Sequence, residues 1–305
     1  MKNMGVMMVT RLKGLSGLAL AALLPLSLSG QAICTGPHSS PTLSQGGSIT
    51  TLPPGGGWVQ LSFYRQRFQQ FYNQNGDLQD FLASGNFLTR SVFLTASVGV
   101  FEGLDLWAQV PVHKLGVQTQ ASNSTSSGVG DLRFSVRITP ELFGFEAPLG
   151  LRFGSKLPAG EFPVDATVLP LTEGQRDFQI SLESGTSFDF LPIYIAGWAG
   201  YRWRGLSEAR FYDPGNETFA HFAIGGSAAG FGWELGADAY WGGAPVVAGL
   251  PLTQDARRVF QIVPTIGYAI GSGTLEVSAQ IPVSGRNLPA GTGFGIGYRT
   301  GWRLL

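Results

Sequence analysis

From Trp58 to the C-terminus, apolar and polar residues alternate with a period of two, in segment after segment. That pattern marks strands, because successive side chains of a strand point to opposite faces. In residues 86–100, Leu88, Val92, Leu94, Ala96, Val98 and Val100 share one face, and Thr89, Ser91, Thr95, Ser97 and Gly99 the other. Residues 131–138 set Leu132, Phe134, Val136 and Ile138 against Asp131, Arg133, Ser135 and Arg137. The same division recurs in 149–157, 233–241, 274–283 and the last segment from Phe294. About twelve strands result, near 58–68, 86–100, 104–115, 129–139, 148–157, 176–188, 191–204, 217–229, 232–242, 258–270, 273–284 and 292–304.

The links between these strands alternate in length. Residues 69–85, 116–128, 158–175, 205–216 and 243–257 are long, while 101–103, 189–190, 230–231 and 271–272 are tight; 140–147 and 285–291 are intermediate. A soluble sandwich has no reason to keep link length in step with strand parity. A transmembrane barrel does, with long extracellular loops and short periplasmic turns. The fold expected is all-β: an antiparallel transmembrane β-barrel of about twelve strands over residues 58–305. Trp233 and Trp241 lie at opposite ends of one apolar face, as do Phe294 and Trp302. Eight residues of a tilted strand cover roughly 20 Å of bilayer normal, near the ~25 Å apolar band between aromatic girdles. Together with Trp203, these residues are the expected lipid-interface aromatics.

Composition agrees. Charged residues are only 13% of the 305, yet mean hydropathy is +0.13. Past the N-terminus no uninterrupted apolar run approaches the ~18 residues of a membrane helix. The N-terminus reads as an export signal: Lys2, Arg11 and Lys13, then an apolar stretch from Leu15 to Leu28, then Ser29-Gly30-Gln31-Ala32. The expected divisions are a secretory signal peptide over 1–32, with an uncleaved anchor as the alternative, and a flexible mature N-terminus or plug over 33–57. Removal of 1–32 leaves a net charge of −3. No basic face points to nucleic acid. A single cysteine, Cys34, excludes an internal disulfide, and Gln31-Ala32-Ile33 before it is a poor lipoprotein site.

If the apolar faces meet lipid, the polar faces line the interior. The lumen-lining residues expected are Arg133, Arg137, Arg152, Lys156, Asp177, Glu183, Arg202, Glu234, Asp238, Glu276, Arg299 and Arg303, with Asp105 and His113 beside them. Mixed signs in a narrow lumen imply a salt-bridge lattice first and a selectivity lining second. Arg133, Arg137, Arg152 and Lys156 form a basic ladder on neighbouring strands, which either favours anions or faces acids elsewhere. Arg65, Arg67 and Arg90 fall on apolar faces near extracellular ends, where they can snorkel to head groups.

Signals for catalysis are weak. His38, His113 and His221 are scattered, His221 on the apolar-parity face of its strand. No G-x-S-x-G, H-E-x-x-H or cluster of metal ligands occurs. No catalytic residue, metal or cofactor is expected.

Gly128-Val129-Gly130-Asp131-Leu132 resembles the G-x-G-D-L strand start of a bacterial outer-membrane transporter family, the meta-pathway phenol-degradation proteins. Gly154-Ser155-Lys156-Leu157-Pro158-Ala159-Gly160 resembles its K-x-P-x-G strand end, and Gly174-Gln175-Arg176-Asp177-Phe178 its G-x-x-D-F strand start. The resemblance covers about 128–204. It implies a barrel of about twelve strands that passes small, often aromatic or hydrophobic, molecules. The expectation is therefore a monomeric passive outer-membrane channel, with the lipid bilayer, the barrel-assembly machinery and a small solute as partners. A closed structural or surface-binding barrel is the alternative. A barrel enzyme and a secreted soluble β protein are further rivals.

Overall fold

A computed structural model describes residues 51–81, 85–119, 123–159, 169–188, 190–208 and 211–303. The expected signal peptide 1–32 and residues 33–50, with Cys34 and His38, lie outside them. Twelve antiparallel strands form one closed meander: β1 (Gly57–Phe68), β2 (Asn86–Phe101), β3 (Leu104–Gln118), β4 (Asn123–Val129 and Leu132–Ile138), β5 (Leu149–Leu157), β6 (Asp177–Ser187), β7 (Ile193–Arg204), β8 (Glu217–Ala228), β9 (Phe231–Gly242), β10 (Arg258–Ile270), β11 (Gly273–Arg286) and β12 (Gly293–Trp302). Each strand pairs with its sequence neighbours, and β1 pairs with β12 from Gly57↔Trp302 to Gln66↔Gly293. Closure leaves no unpaired edge in the barrel wall, which is what a bilayer without water requires of a spanning β structure.

The alternation sorts the side chains as expected. Leu61, Phe63, Leu94, Phe153, Leu182 and Val277 point outward and are exposed. The inward faces carry Gln60, Gln109, Arg137, Glu183, Glu234 and Arg299, all buried. An apolar exterior around a polar interior inverts a soluble protein and identifies the surrounding medium as lipid. Trp203, Trp241 and Phe294 stand outward at the long-loop end, Trp233 and Trp302 at the tight-turn end, so two aromatic rims bound the apolar belt. Leu94 lies mid-strand, between Leu61 and Val110. Leu94→Arg is expected to cost about 2–4 kcal/mol, measured by denaturant unfolding of the refolded barrel in lipid vesicles.

Two features depart from the expected map. The polar stretch 116–128 is largely a hairpin rather than a loop: β3 runs to Gln118 and β4 opens at Asn123, with Val117↔Ser124 and Gln118↔Asn123 in register. A hairpin that projects into water needs no apolar face, so periodicity in apolar residues cannot reveal it. Within β4 the ladder breaks at Gly130 and Asp131. Pro111 on β3 has no N–H to give, and Gly130 N donates instead to the Pro111 carbonyl at 3.0 Å. The register changes by one residue across this point, from Val112↔Val129 to Gln109↔Arg133.

The chain just before β1 is also held. Gly55 N donates to Gly99 O and Gly99 N to Gly56 O, each at 2.9 Å. Leu52 N donates to the inward carboxylate of Asp105 at 2.9 Å, and Gly103 N donates to Thr51 Oγ1 at 2.9 Å. Residues 51–56 therefore lie against β2 and β3 at the tight-turn mouth of the lumen. Gly99 permits this, because a Cβ there would collide with the Leu52 carbonyl oxygen.

Loop residues cover part of the opposite mouth. Gln70–Tyr72 pairs with Leu78–Asp80 and with Leu288–Ala290 in a small sheet. Inside the rim, Phe68, Phe87 and Leu115 form an apolar cluster joined by Phe81, Val117, Leu169 and Leu171. At the seam, β12 turns Gly293, Gly295, Gly297 and Gly301 inward. Tyr64 crosses over it from β1 to donate to Gln280 of β11 at 2.7 Å, and Gln60 crosses likewise to Glu276 at 3.0 Å. A Cβ at Gly293 would collide with the Tyr64 hydroxyl.

Candidate functional site: the barrel lumen

The inward charges sort into four groups, each made by cross-strand register. The largest lies toward the long-loop end. Register puts Lys156 opposite Asp177, Asp177 opposite Arg204, and Arg202 opposite Glu217. Lys156 Nζ is 2.7 Å from Asp177, 3.5 Å from Asp131 and ion-paired with Glu173. Arg204 Nη2 donates to Glu173 Oε1 at 2.6 Å, and its Nε lies 3.5 Å from Asp177. Arg202 Nη1 donates to Glu217 at 2.8 Å, while its Nε and Nη2 donate to Gln179. Glu173 comes from the link before β6, where its backbone N donates to Asp131 at 3.1 Å.

Nearer the tight turns, Arg137 pairs with Asp105 and Arg152 with Glu183, Arg152 also donating to Ser135 Oγ at 3.1 Å. Across the lumen, Arg299 pairs with Glu276 and lies over the Trp58 ring, 5.8 Å from its centroid. Tyr194 donates to Glu234 at 2.7 Å. The fourth group is mid-lumen: His221 Nδ1 is 2.6 Å from Asp238 Oδ1, Gln261 donates to the other Asp238 oxygen at 3.0 Å, and the His221 ring stacks on Trp198 at 3.8 Å and 11°.

The structure thus turns Arg133, Arg137, Arg152, Lys156, Asp177, Glu183, Arg202, Glu234, Asp238, Glu276 and Arg299 inward. The basic ladder holds in register, with Arg133↔Lys156 and Arg137↔Arg152. Arg137, Arg152 and Lys156 each meet carboxylates of other strands, so the ladder forms half of an ion-pair lattice. Burying charges is costly unless they are paired and hydrogen-bonded, and here the partners are supplied.

Two assignments need correction. Arg303 does not line the lumen: β12 ends at Trp302, opposite the first residue of β1, and Arg303 beyond it is exposed. Parity carries no information past the last paired residue. His221 is inward, not on the lipid side. Strand β8 turns Phe219, His221 and Ala223 into the lumen and Phe222 to lipid, so its inner face is itself partly apolar. Glu173, Arg204 and Glu217 are lattice members that strand periodicity did not single out, because Glu173 lies in a link and the others at strand ends.

Between these groups is a cavity of about 180 Å³. Trp58, Trp107, Trp198, Phe219 and Tyr240 give it aromatic walls, and Arg133, Arg152, Lys156, Glu183 and Asp238 polar ones. Above it, Ser91 Oγ and His113 Nδ1 are 2.7 Å apart, with both residues buried.

The family described as "Putative MetA-pathway of phenol degradation" matches residues 39–298. Among solved structures, an outer membrane channel from Pseudomonas putida is similar over 83% of this chain and 97% of its own, with a TM-score of 0.70 at 16% identity. The translocator domain of the autotransporter NalP from Neisseria meningitidis shares 12% identity at a TM-score of 0.49, over 94% of this chain and 98% of that one. No curated protein matches the sequence.

Proposed function

We propose that this chain, which belongs to the family described as "Putative MetA-pathway of phenol degradation", is a passive outer-membrane channel for small aromatic molecules, working as a monomer and without catalysis. The lumenal cavity supports this reading best. Its volume of about 180 Å³ is near the roughly 150 Å³ at which an apolar cavity takes up benzene. Trp198, Phe219 and Trp58 offer ring faces, and the paired charges opposite offer hydrogen bonds to a hydroxyl or carboxylate substituent. A wider, uniformly charged pore would suit sugars or ions instead. The similar Pseudomonas putida protein is described as an outer membrane channel, in keeping with this reading.

A closed barrel with a structural or surface-binding role is the second reading. It is favoured by the apolar cluster of Phe68, Phe87 and Leu115 inside the loop-end rim and by residues 51–56 held at the other mouth. Uptake into liposomes that carry the refolded mature protein separates the two. Simple phenols and benzoates are expected to enter faster than sugars of similar mass. If no solute enters while heat-dependent gel mobility reports a folded barrel, the closed reading stands and the channel is rejected.

A further inference from the structure

The outer surface carries cations where a membrane barrel's lipid face should be apolar. Arg65 of β1 stands opposite Arg90 of β2, and Arg90 opposite Lys114 of β3. All three side chains point outward and are exposed, as is Arg67 two residues further toward the loops. Directly opposed residues on one sheet face have Cβ atoms about 4.5–5.5 Å apart, and like charges so placed repel. Among the described residues none of the four makes an ion pair. Their outward neighbours are Phe294, Ser127, Leu88 and Gly116, so no carboxylate relieves the repulsion within the sheet.

The height of the row indicates what could relieve it. Two residues toward the tight turns, the same strands present Phe63, Val92 and Val112. One such step is about 7 Å along a strand and less along the membrane normal. The cations therefore sit on the upper border of the apolar belt, at outer-leaflet head-group level. On β7 and β9 that border carries Trp203 and Trp241, the ordinary interfacial residues. Three adjacent strands span about 10 Å, so the row faces one head group rather than a stretch of membrane.

We propose that Arg65, Arg90 and Lys114, extended by Arg67, form a binding site on the barrel wall for a phosphorylated glycolipid of the outer leaflet. Guanidinium groups match phosphate oxygens bidentately, and the lysine adds a point charge. The acyl chains would lie down the wall over Phe63, Val92 and Val112. This site is on the outside of the barrel and is independent of whether the lumen conducts.

The test uses the refolded full mature chain and Arg90→Glu, a change that places an acid between two bases. With no glycolipid present, in uncharged detergent, the variant is expected to be more heat-stable than wild type, because it removes the repulsion. In phosphatidylcholine vesicles that contain bisphosphorylated lipid A the order is expected to reverse, and native mass spectrometry should show at least a tenfold loss of retained lipid A. Arg65→Gln/Lys114→Gln, which removes the repulsion without adding an attraction, should lose retention with a smaller gain in stability. Arg176→Gln, an exposed cation just before β6, should change neither. Equal retention by wild type and variants, equal retention of dephosphorylated lipid A, or equal retention of phosphatidylglycerol would each overturn the proposal. All these outcomes are read without any permeation assay.

Discussion

Lys156→Met is expected to be the most destabilising single change inside the barrel, lowering its unfolding free energy by about 3–5 kcal/mol. The ammonium group faces Asp131, Glu173 and Asp177 at once. Its removal leaves three buried carboxylates facing one another, with the Arg204 guanidinium beside Glu173 and Asp177. Methionine fills the same volume, so loss of packing contributes little and the change reports on charge. The measurement is urea unfolding in vesicles, followed by gel mobility and by tryptophan emission. Adding Glu173→Gln to the variant should restore part of the loss, because the two residues share one network and their effects do not add. Equal stability of Lys156→Met and wild type would mean that water reaches the lattice and screens it, and that the lumen is wide at this level.

Gly99→Val is expected to have the largest effect on passage. Strand β2 approaches residues 52 and 53 so closely at Gly99 that any Cβ would collide with their carbonyl oxygens. A valine there must expel the segment from the tight-turn mouth or distort β2. Overpacking of this kind costs typically 1–3 kcal/mol. The four hydrogen bonds that hold the segment contribute about 1 kcal/mol each, whereas a displaced β2 gives up its ladders to both β1 and β3. The segment should therefore yield before the strand does. Two results follow: new protease cleavage ahead of Trp58 in the folded protein, and several-fold faster solute uptake if the segment obstructs the route. Cleavage without faster uptake would place the limiting constriction at the loop end, in the Phe68 cluster.

The barrel was legible in the sequence because lipid imposes one rule on every spanning strand. Leu94 and Val277 must be outward wherever they lie along the chain, so parity alone assigns Thr95 and Glu276 to the inside. The rule fails where lipid does not reach. The 116–128 hairpin stands in water, and its Ser and Thr residues satisfy both faces. Arg303 lies past the last pair. His221 shows a subtler failure: it lies between Phe219 and Ala223, on an inner face that is apolar because it lines the lumen's aromatic wall. The ion pairs were only half legible. Strand periodicity located Lys156 and Asp177 on inner faces, but the choice of partners depends on register across strands and on links such as the one that brings Glu173 in.

The seam between β1 and β12 bears on how such a barrel is made. Contacts there join residues more than two hundred positions apart, so they are the slowest to form and cannot precede the hairpins. The closing strand arrives with an almost bare inner surface: Arg299 is the one inward side chain larger than hydrogen among Gly293, Gly295, Gly297 and Gly301. It can slip under side chains already in place on β1. Tyr64 and Gln60 then fasten onto Gln280 and Glu276 over its back. Bonds made only after the rate-limiting step leave the rate of assembly untouched and slow its reversal. The glycines on β12 and the long polar side chains on β1 thus act as a latch, easy to close and slow to open, so that the finished barrel persists through kinetics as much as through equilibrium.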